Sequence, residues 1–216
     1  MPKDTFLNLP EAKRQAIIEA AVDEFAANSY EQASVNRIVA GAGIAKGSFY
    51  QYFEDKQDLF FYVMNLIGRE KINFMSPVIA NPAEHDIFTV IREMYLSGVQ
   101  FAIAYPRYAA IGARLLADKD APIYGELQAE SRLTAQALFR PLISRAMARG
   151  EIRTDVDVDM LHAIIMAMNV SIVEYCSEKY PDTLLDAVAE SVDAFMDLLK
   201  NGIGTQSVSS RLQAGS

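Results

Sequence analysis

The polar side chains between residues 34 and 56 are of the types that bind nucleic acid. Lysine and arginine pair with phosphates, the hydroxyls of serine and tyrosine donate to phosphate oxygens, and glutamine can read base edges. No Asp or Glu lies between residues 33 and 53 to repel a phosphate. We therefore consider a DNA-binding role for Ser34, Arg37, Lys46, Ser48, Tyr50, Gln51, Tyr52 and Lys56.

Two short predicted helices, joined by a tight turn, carry most of these side chains. Ser34 is the predicted N-cap of the first helix, whose apolar stretch runs to Ala42. Gly43 supplies the permissive backbone that a sharp turn needs. The second helix is predicted from Ala45 to Phe53. This is the helix-turn-helix pattern, in which the second helix enters the major groove.

The segment resembles the tetracycline-repressor (TetR) family of one-component transcription regulators. The resemblance covers residues 11–60, and the rest of the chain resembles the family only in length, helical pattern and order of parts. Two positions depart mildly: Ala45 stands where the family often has Ser, and Val39 where a smaller Ala is usual. About a dozen positions carry the resemblance in register: Ile38, Ala42, Gly43, Lys46, Gly47, Ser48, Phe49, Tyr50, Tyr52, Phe53, Lys56 and Leu59.

The resemblance implies a role for each polar position, and Gly47 would bring the backbone close to whatever the second helix faces. Arg37 would read guanine from the preceding helix, while Ser48 and Gln51 would reach base edges. The alternative is that these side chains form only the solvated surface of a small helical hairpin. The remaining side chains would mainly hold phosphates: Lys46, Tyr50, Tyr52 and Lys56.

The overall charge at first argues against a nucleic-acid binder, because the formal net charge is −8. Residues 1–56 contain six Lys or Arg and eight Asp or Glu, a balance of −2. The other 160 residues contain 14 and 20, a balance of −6. Most of the acidity therefore lies outside the candidate DNA-binding segment, where it weakens non-specific DNA binding.

Helical periodicity dominates the chain, and no strand alternation is convincing. We predict an all-α fold of about nine helices, in which a three-helix head precedes a larger ligand-binding and dimerisation bundle. The predicted divisions are a helix-turn-helix domain at 1–54, the bundle at 55–201 and a flexible tail at 202–216. Asn8 with Glu11 is a predicted capping box, and Asn81 with Pro82 a predicted helix start.

Further local signals predict helix boundaries in the bundle. Glu54 and Asp55 start a long helix, and Asp157 caps the helix at 158–178. Gly150 ends the helical element at about 122–149, which Pro141 is predicted to kink or split.

Aromatic and methionine side chains are frequent in the bundle, and they suit a pocket for a mainly apolar ligand with a few polar anchors. The alternative for each residue is an ordinary core position or, for the polar ones, the surface or a dimer seam. The predicted ligand-binding residues are Met64, Phe88, Met94, Phe101, Tyr105, Tyr108, Tyr124, His162, Met166 and Asn169.

The last two predicted helices, 158–178 and 182–200, have wide apolar stripes that one chain alone would not need. In TetR-like proteins two such helices pair with their copies as a four-helix interface. The predicted dimer residues are Leu161, Ile165, Met168, Ile172, Val188, Val192, Phe195 and Met196.

Other functions have little support in the sequence. One cysteine, Cys176, and two histidines provide neither a disulfide framework nor a recognisable zinc spacing, and no catalytic arrangement stands out. No cofactor, metal or membrane span is expected, and the cytoplasm is the expected location. The resemblance implies a dimeric, ligand-responsive transcription regulator that is not an enzyme, and we predict a repressor released from its operator DNA by a small, mainly apolar molecule. The alternatives are a helical small-molecule-binding or interaction protein without specific DNA binding and, more distantly, an enzyme built in a helical bundle.

Overall fold

A computed structural model describes residues 2–75 and 81–201, and the fold of these residues is all-α. The side chains of residues 128–138 and the predicted tail 202–216 lie outside the described part. Short 3-10 turns at Pro82–Glu84 and Pro181–Thr183 precede two of the helices. The α-helices are α1 (Asp4–Leu7), α2 (Glu11–Ala27), α3 (Val35–Gly41), α4 (Lys46–Tyr52), α5 (Lys56–Phe74), α6 (Ile87–Ala104), α7 (Pro106–Ala117), α8 (Pro122–Ala148), α9 (Val158–Lys179) and α10 (Leu184–Asn201).

Packing divides the chain into two compact units. The first comprises Met1–Met75 and Gln100–Leu138, and the second comprises Ser76–Val99 and Phe139–Ser216. Helices α6 and α8 each contribute residues to both units. The first unit therefore contains more than the predicted head of residues 1–54, and that functional division stays a prediction.

Helix α2 is the centre of the first unit, packing against α3, α5 and α7. Ile17 and Ala21 are fully buried, and the ring of Phe25 meets that of Phe60 on α5 edge-on at 4.8 Å between centroids. Ile111 of α7 is 1% exposed in the same core. Since α2 is covered on several sides, it orients the short helices around it.

The N-terminal helix α1 was not predicted, and it closes the C-terminal end of α4. The backbone N–H of Lys3 donates to the Tyr52 carbonyl at 2.9 Å, and its Nζ donates to the Tyr50 carbonyl at 3.0 Å. The Thr5 hydroxyl donates to the Gln51 carbonyl. These bonds satisfy carbonyls that a helix leaves open at its end.

The predicted capping box at Asn8 and Glu11 is wrong, because Asn8 is the C-cap of α1 and Pro10 precedes the first residue of α2. Phe6 anchors α1 with 0% exposure, its ring 4.7 Å from that of Phe53. The buried Phe6 side chain, rather than a side-chain cap, therefore fixes the position of the N-terminal segment.

The second unit is built around the N-terminal part of α6, the C-terminal part of α8, and α9 with α10. Tyr95 of α6 is 1% exposed, stacks parallel to Phe195 of α10 at 6.3 Å and donates its hydroxyl to the Ile165 carbonyl of α9. Buried tyrosines need such an acceptor, and here the hydrogen bond joins α6 to α9 while the ring stacking joins α6 to α10. Val188 and Val192 complete the core with 0% exposure.

Helix boundaries in the second unit follow capping side chains. Asp157 caps α9 as predicted, accepting from the Met160 N–H at 2.7 Å. Gly150, with φ +73°, ends α8 as predicted. A helical turn does start after Asn81, as predicted, but it is the 3-10 turn Pro82–Glu84. The predicted continuation into α6 is wrong, because α6 begins after Asp86, which accepts from the N–H of Thr89 at 3.1 Å.

Helix α8 continues through Pro141, so the predicted split there is wrong, and the alternative of a kink stays a prediction. The proline therefore interrupts one backbone hydrogen bond without ending the helix.

Candidate functional site

The turn between α3 and α4 ends α3 with two backbone hydrogen bonds. The N–H of Gly43 donates to the Ala40 carbonyl at 3.2 Å, and the N–H of Ile44 donates to the Val39 carbonyl at 3.0 Å. This is the Schellman pattern, which needs a left-handed residue after the C-cap, and Gly43 has φ +64°. The turn therefore fixes the angle at which α4 leaves α3.

Helix α4 has one buried face and one outward face. Phe49 and Phe53 are 0% exposed and hold the helix against the first core. Lys46, Gly47 and Gln51 are exposed, Tyr50 is 47% exposed, and Ser48 is half-buried. As predicted, Ala45 at the N-cap makes no side-chain cap. The outward face presents one cation, hydroxyls and an amide, with no carboxylate among residues 45–53.

Tyr52 differs from its predicted role as a phosphate ligand. It is 6% exposed, its ring lies 6.2 Å from that of Phe6, and the Lys13 ammonium lies 5.9 Å from the ring centroid. The reason is helical spacing, because Tyr52 follows buried Phe49 by three residues and shares its face. Tyr52 therefore packs in the core.

Lys56 also differs from its predicted role, because its ammonium is bound within the protein. Its Nζ donates to the carbonyls of Tyr30 at 2.6 Å, Ala33 at 3.0 Å and Glu31 at 3.3 Å. It also lies 4.4 Å from the centroid of the Tyr30 ring. An ammonium group has three N–H donors, so these carbonyls account for all of them.

Arg37 was predicted to read guanine, but its guanidinium is held by Glu24 of α2. Nε lies 3.0 Å from each Glu24 oxygen, and Nη2 lies 2.5 Å from Oε1 and 2.7 Å from the Gln32 carbonyl. Ser34 is the N-cap of α3 by position, but its side chain makes no cap hydrogen bond. Its backbone N–H instead donates to Glu24 Oε1 at 2.8 Å.

Glu24 is a residue that the sequence interpretation missed. It is 8% exposed, and its pKa is lowered by the hydrogen bond from Arg37, which outweighs the opposing effect of burial. A signal was present in the sequence, since Glu24 falls three residues after Ala21 and seven after Ile17, on the buried face of α2. A carboxylate at such a position requires a partner.

Three predicted ligand residues meet in one aromatic cluster within the first unit. Phe101 lies 4.8 Å from Tyr105 between ring centroids, and Tyr105 stacks on Tyr108 at 5.5 Å. Phe74 at the end of α5 joins them, 5.6 Å from Phe101. Phe74 and Tyr105 are each 37% exposed, so the cluster is open to solvent. Met64 packs against the unit's core, and Tyr124 is half-buried on α8.

The other five predicted ligand residues lie in the second unit. Phe88 lines an open groove of about 630 Å³ together with Ile91 and Leu199, and the Lys200 ammonium lies 4.8 Å from its ring centroid. His162 contacts Phe139 at 4.8 Å between ring centroids, and its buried Nε2 has no hydrogen-bond partner among the described residues. The remaining three are half-buried: Met94, Met166 and Asn169.

The predicted dimer residues belong to the core of their own protomer. Phe195 is 7% and Met196 5% exposed, while Leu161 and Met168 are half-buried against the same core. The buried members share one core with Ile91 and Tyr95 of α6 and are core residues of the protomer, whereas a dimer contact of the half-buried Leu161 and Met168 stays a prediction. The buried members are Ile165, Ile172, Val188, Val192, Phe195 and Met196.

A second apolar stripe on α9 remains exposed. Met160 is 55%, Ile164 41% and Tyr175 50% exposed, and Ala167 and Ser171 fill the helical spacing between them. By length and composition alone, α6 and α9 could each cross a membrane, a test that core helices of soluble proteins also pass. Only 17% of the most apolar window of α9 is buried in the chain. On α10 the neighbouring exposed or half-buried residues are small or apolar: Ala187, Ser191, Ala194 and Leu198.

Comparison with known proteins shows that the chain is similar to bacterial regulators. Residues 17–63 match the family model described as bacterial regulatory proteins, tetR family. The transcriptional repressor AcnR of Corynebacterium diphtheriae is 30% identical over 189 residues, which span 83% of this chain and 91% of the relative. The match therefore extends far beyond the helix-turn-helix segment.

Solved structures give the same result. A TetR family transcriptional regulator from Chloroflexus aurantiacus is 31% identical with a TM-score of 0.66, covering 94% of this chain and 98% of that one. FadR of Bacillus subtilis, solved in complex with stearoyl-CoA, has a TM-score of 0.71 at 20% identity and covers 88% and 99%. At that identity the second likeness concerns the fold alone.

Substituting Gly47 separates fold stability from DNA binding. A Cβ at Gly47 would meet nothing within 4 Å, so Gly47→Ala should raise the free energy of unfolding by about 0.5 kcal/mol through helix propensity. If DNA backbone approaches this position, the added methyl should weaken DNA binding. Urea unfolding and fluorescence anisotropy with duplex DNA measure the two effects.

Gly68→Ala is the matched control, because Gly68 is also exposed, helical and unhindered, but lies on α5. We expect it to stabilise the protein and leave DNA affinity unchanged. If Gly47→Ala leaves DNA affinity unchanged as well, DNA does not approach the start of α4.

Proposed function

This chain belongs to the TetR family of bacterial transcription regulators, and on that basis we propose that it is a dimeric repressor released from its operator by a small, mainly apolar effector. The family assignment makes it a DNA-binding regulator. The outward face of α4 carries the proposal for DNA, because it presents Lys46, Tyr50 and Gln51 without a carboxylate. Bacterial operators lie in the cytoplasm, which is therefore the proposed location.

The proposed contacts divide into positioning and reading. The Lys46 ammonium and the Tyr50 hydroxyl would hold phosphates, while Ser48 and Gln51 would reach base edges in the major groove. Tyr52 and Lys56 are left out of this surface, because Tyr52 is buried and the Lys56 ammonium is bound to three backbone carbonyls. Arg37 is left out because its guanidinium is paired with Glu24, although its side chain is 55% exposed. Ser34 lies at the N-terminus of α3, and its backbone N–H is already bonded to Glu24 and is therefore not free to bind a phosphate.

Two substitutions test this division on a duplex enriched by the wild-type protein from a random-sequence library. Lys46→Ala should weaken binding to that duplex and to random DNA alike, because phosphate contacts carry little sequence information. Gln51→Ala should instead reduce discrimination at particular base pairs, by about 1–3 kcal/mol each. Anisotropy titrations against single-base variants of the duplex measure both. Equal affinities of wild type and Lys46→Ala at physiological salt would contradict the interface.

The exposed stripe on α9 supports the proposed dimer. An apolar helix with so little of its surface buried in its own chain needs a cover, and a second copy supplies the same stripe by twofold symmetry. The proposed seam comprises Met160, Ile164, Ala167 and Tyr175 of α9, with Leu198 of α10 at its edge. Two DNA-binding heads per dimer would then match half-sites about one helical turn, or a multiple of it, apart.

Charge placed on the exposed stripe should separate the protomers without unfolding them. Ile164→Glu is expected to give a folded monomer by sedimentation and circular dichroism, because Ile164 is 41% exposed in the protomer. Val192→Glu is the contrasting variant, since Val192 is 0% exposed and its substitution should unfold or aggregate the chain. A wild type that sediments as a monomer at micromolar concentration would disprove the dimer.

The aromatic cluster of Phe74, Phe101, Tyr105 and Tyr108 is the proposed effector site. It is partly open, and burial raises the pKa of the Tyr108 hydroxyl, which therefore stays protonated and can donate. Phe74 ends α5, whose first residue Lys56 holds the loop before α3. Nineteen residues of α5 span about 28 Å, so a ligand that displaces one end moves the other.

A thermal-shift screen with planar aromatic compounds, stearoyl-CoA and sugar phosphates tests this site. Aromatic compounds should stabilise the wild type, and Tyr105→Ala should abolish the shift. Any hit should lower DNA affinity, and DNA should lower the affinity for the hit by the same factor. Tyr62→Phe is the control, because Tyr62 lies on α5 against Phe6, among rings at the other end of the helix. Binding of sugar phosphates alone, or a hit without effect on DNA, would contradict the proposal.

A further inference from the structure

Helix α3 lacks the acceptor that usually closes the N-terminus of a helix beginning with Ser. In a capping box, a Glu or Gln three residues after the N-cap accepts a hydrogen bond from the N-cap backbone N–H. Ser34 is the N-cap of α3, so this position falls on Arg37, which has donors only. The helix therefore needs an acceptor from elsewhere.

Glu24 of α2 supplies that acceptor. Its Oε1 lies 2.8 Å from the Ser34 nitrogen, the distance at which a capping-box glutamate would bind. The carboxylate is 8% exposed, so it needs a partner for its charge, and Arg37 provides one with both Nε and Nη2. The capping box is thus completed across two helices, with the acid on α2 and a cation at the position where the acid usually stands.

The same pair holds the loop that leads into α3. Nη2 of Arg37 donates to the Gln32 carbonyl at 2.7 Å, while Lys56 binds the carbonyls of Tyr30 and Ala33 from α5. The start of α3 is therefore fixed to α2 and α5, and its end is fixed to α4 by the turn at Gly43. A change in the direction of α3 would therefore change the direction of α4.

We propose that Glu24 and Arg37 form a capping pair between α2 and α3 that orients α4 for DNA, so that Arg37 is a positioning residue rather than a base contact. This inference rests on the proposed DNA-binding surface of α4. Glu24 and Arg37 act on DNA affinity through the direction of α3. Their effects on DNA affinity are coupled. Without Arg37, the buried Glu24 carboxylate lacks its charged partner, and without Glu24, the Ser34 N–H lacks its acceptor.

Three variants of the full chain test the pair on the duplex enriched by the wild type. Glu24→Gln keeps the shape and removes the charge, and Arg37→Met removes the guanidinium. Each should lower DNA affinity about tenfold, since a hydrogen bond to a charged group is lost. The third variant combines Glu24→Gln with Arg37→Glu, which restores an ordinary capping box within α3. We expect its affinity to return to within about threefold of wild type.

The combined variant separates positioning from direct contact. If Arg37 touched DNA, a carboxylate in its place would repel phosphates, and the combined variant would bind no better than Arg37→Met. The salt dependence gives a second measure, because a lost phosphate contact reduces the slope of log K against log salt by about 0.9. We expect Arg37→Met to keep the wild-type slope. A reduced slope for Arg37→Met with unchanged affinity for Glu24→Gln would overturn the proposal.

Two controls complete the experiment. Affinities are measured at a temperature at which every variant is fully folded by circular dichroism; a loss of stability without a loss of affinity there would mean that the pair is merely structural and would overturn the proposal. Lys46→Ala tests the surface itself. If it leaves both affinity and slope unchanged, the DNA-binding surface of α4 fails, whatever the result for Glu24 and Arg37.

Discussion

Helices α3 and α4 have seven residues each, which is too short for either to be stable by itself in water. Their conformation depends on hydrogen bonds that close their ends. Glu24 closes the start of α3, the turn at Gly43 closes its end, and the chain before α2 closes the end of α4. Buried side chains such as Ile38 and Phe49 hold the two helices against the core, and these closures set where each helix begins and ends. The orientation of the outward face of α4 therefore depends on both.

The positions of the basic side chains follow from the same need to hold the ends of these short helices. Three cations were predicted to contact DNA. Arg37 is bound to Glu24 of α2 and Lys56 to carbonyls of the α2–α3 loop, while Lys46 is exposed on the outward face of α4. In a chain with a net charge of −8, long-range attraction to DNA is weak. On the proposed surface, recognition would depend on hydroxyls, the Gln51 amide and close backbone approach more than on ion pairs. It therefore requires an accurately oriented helix.

Most of the features that the sequence predicted correctly depend on neighbouring residues, although the capping box at Asn8 and Glu11 is an exception. The turn at Gly43, the caps at Asp55 and Asp157 and the end of α8 at Gly150 are local signals, and each lies where it was predicted. The partners of Arg37 and Lys56 were not predicted, because Glu24 is 13 residues away and the Tyr30 carbonyl 26 residues away. Long side chains choose their partners in three dimensions, and residue type alone does not distinguish a phosphate ligand from an internal clamp.

The apolar pattern of α9 is a second case in which residue type alone does not identify the packing partner. The sequence indicated that α9 is apolar on more than one face, but not which face its own chain covers. The core shows which face is covered, because Ile165 and Ile172 are buried with Tyr95 of α6, whose hydroxyl also binds the Ile165 carbonyl. The opposite face, with Ile164 and Tyr175, is left open. The packing of one face of α9 against α6 therefore leaves the other stripe as the one that we propose to meet a second copy of the chain.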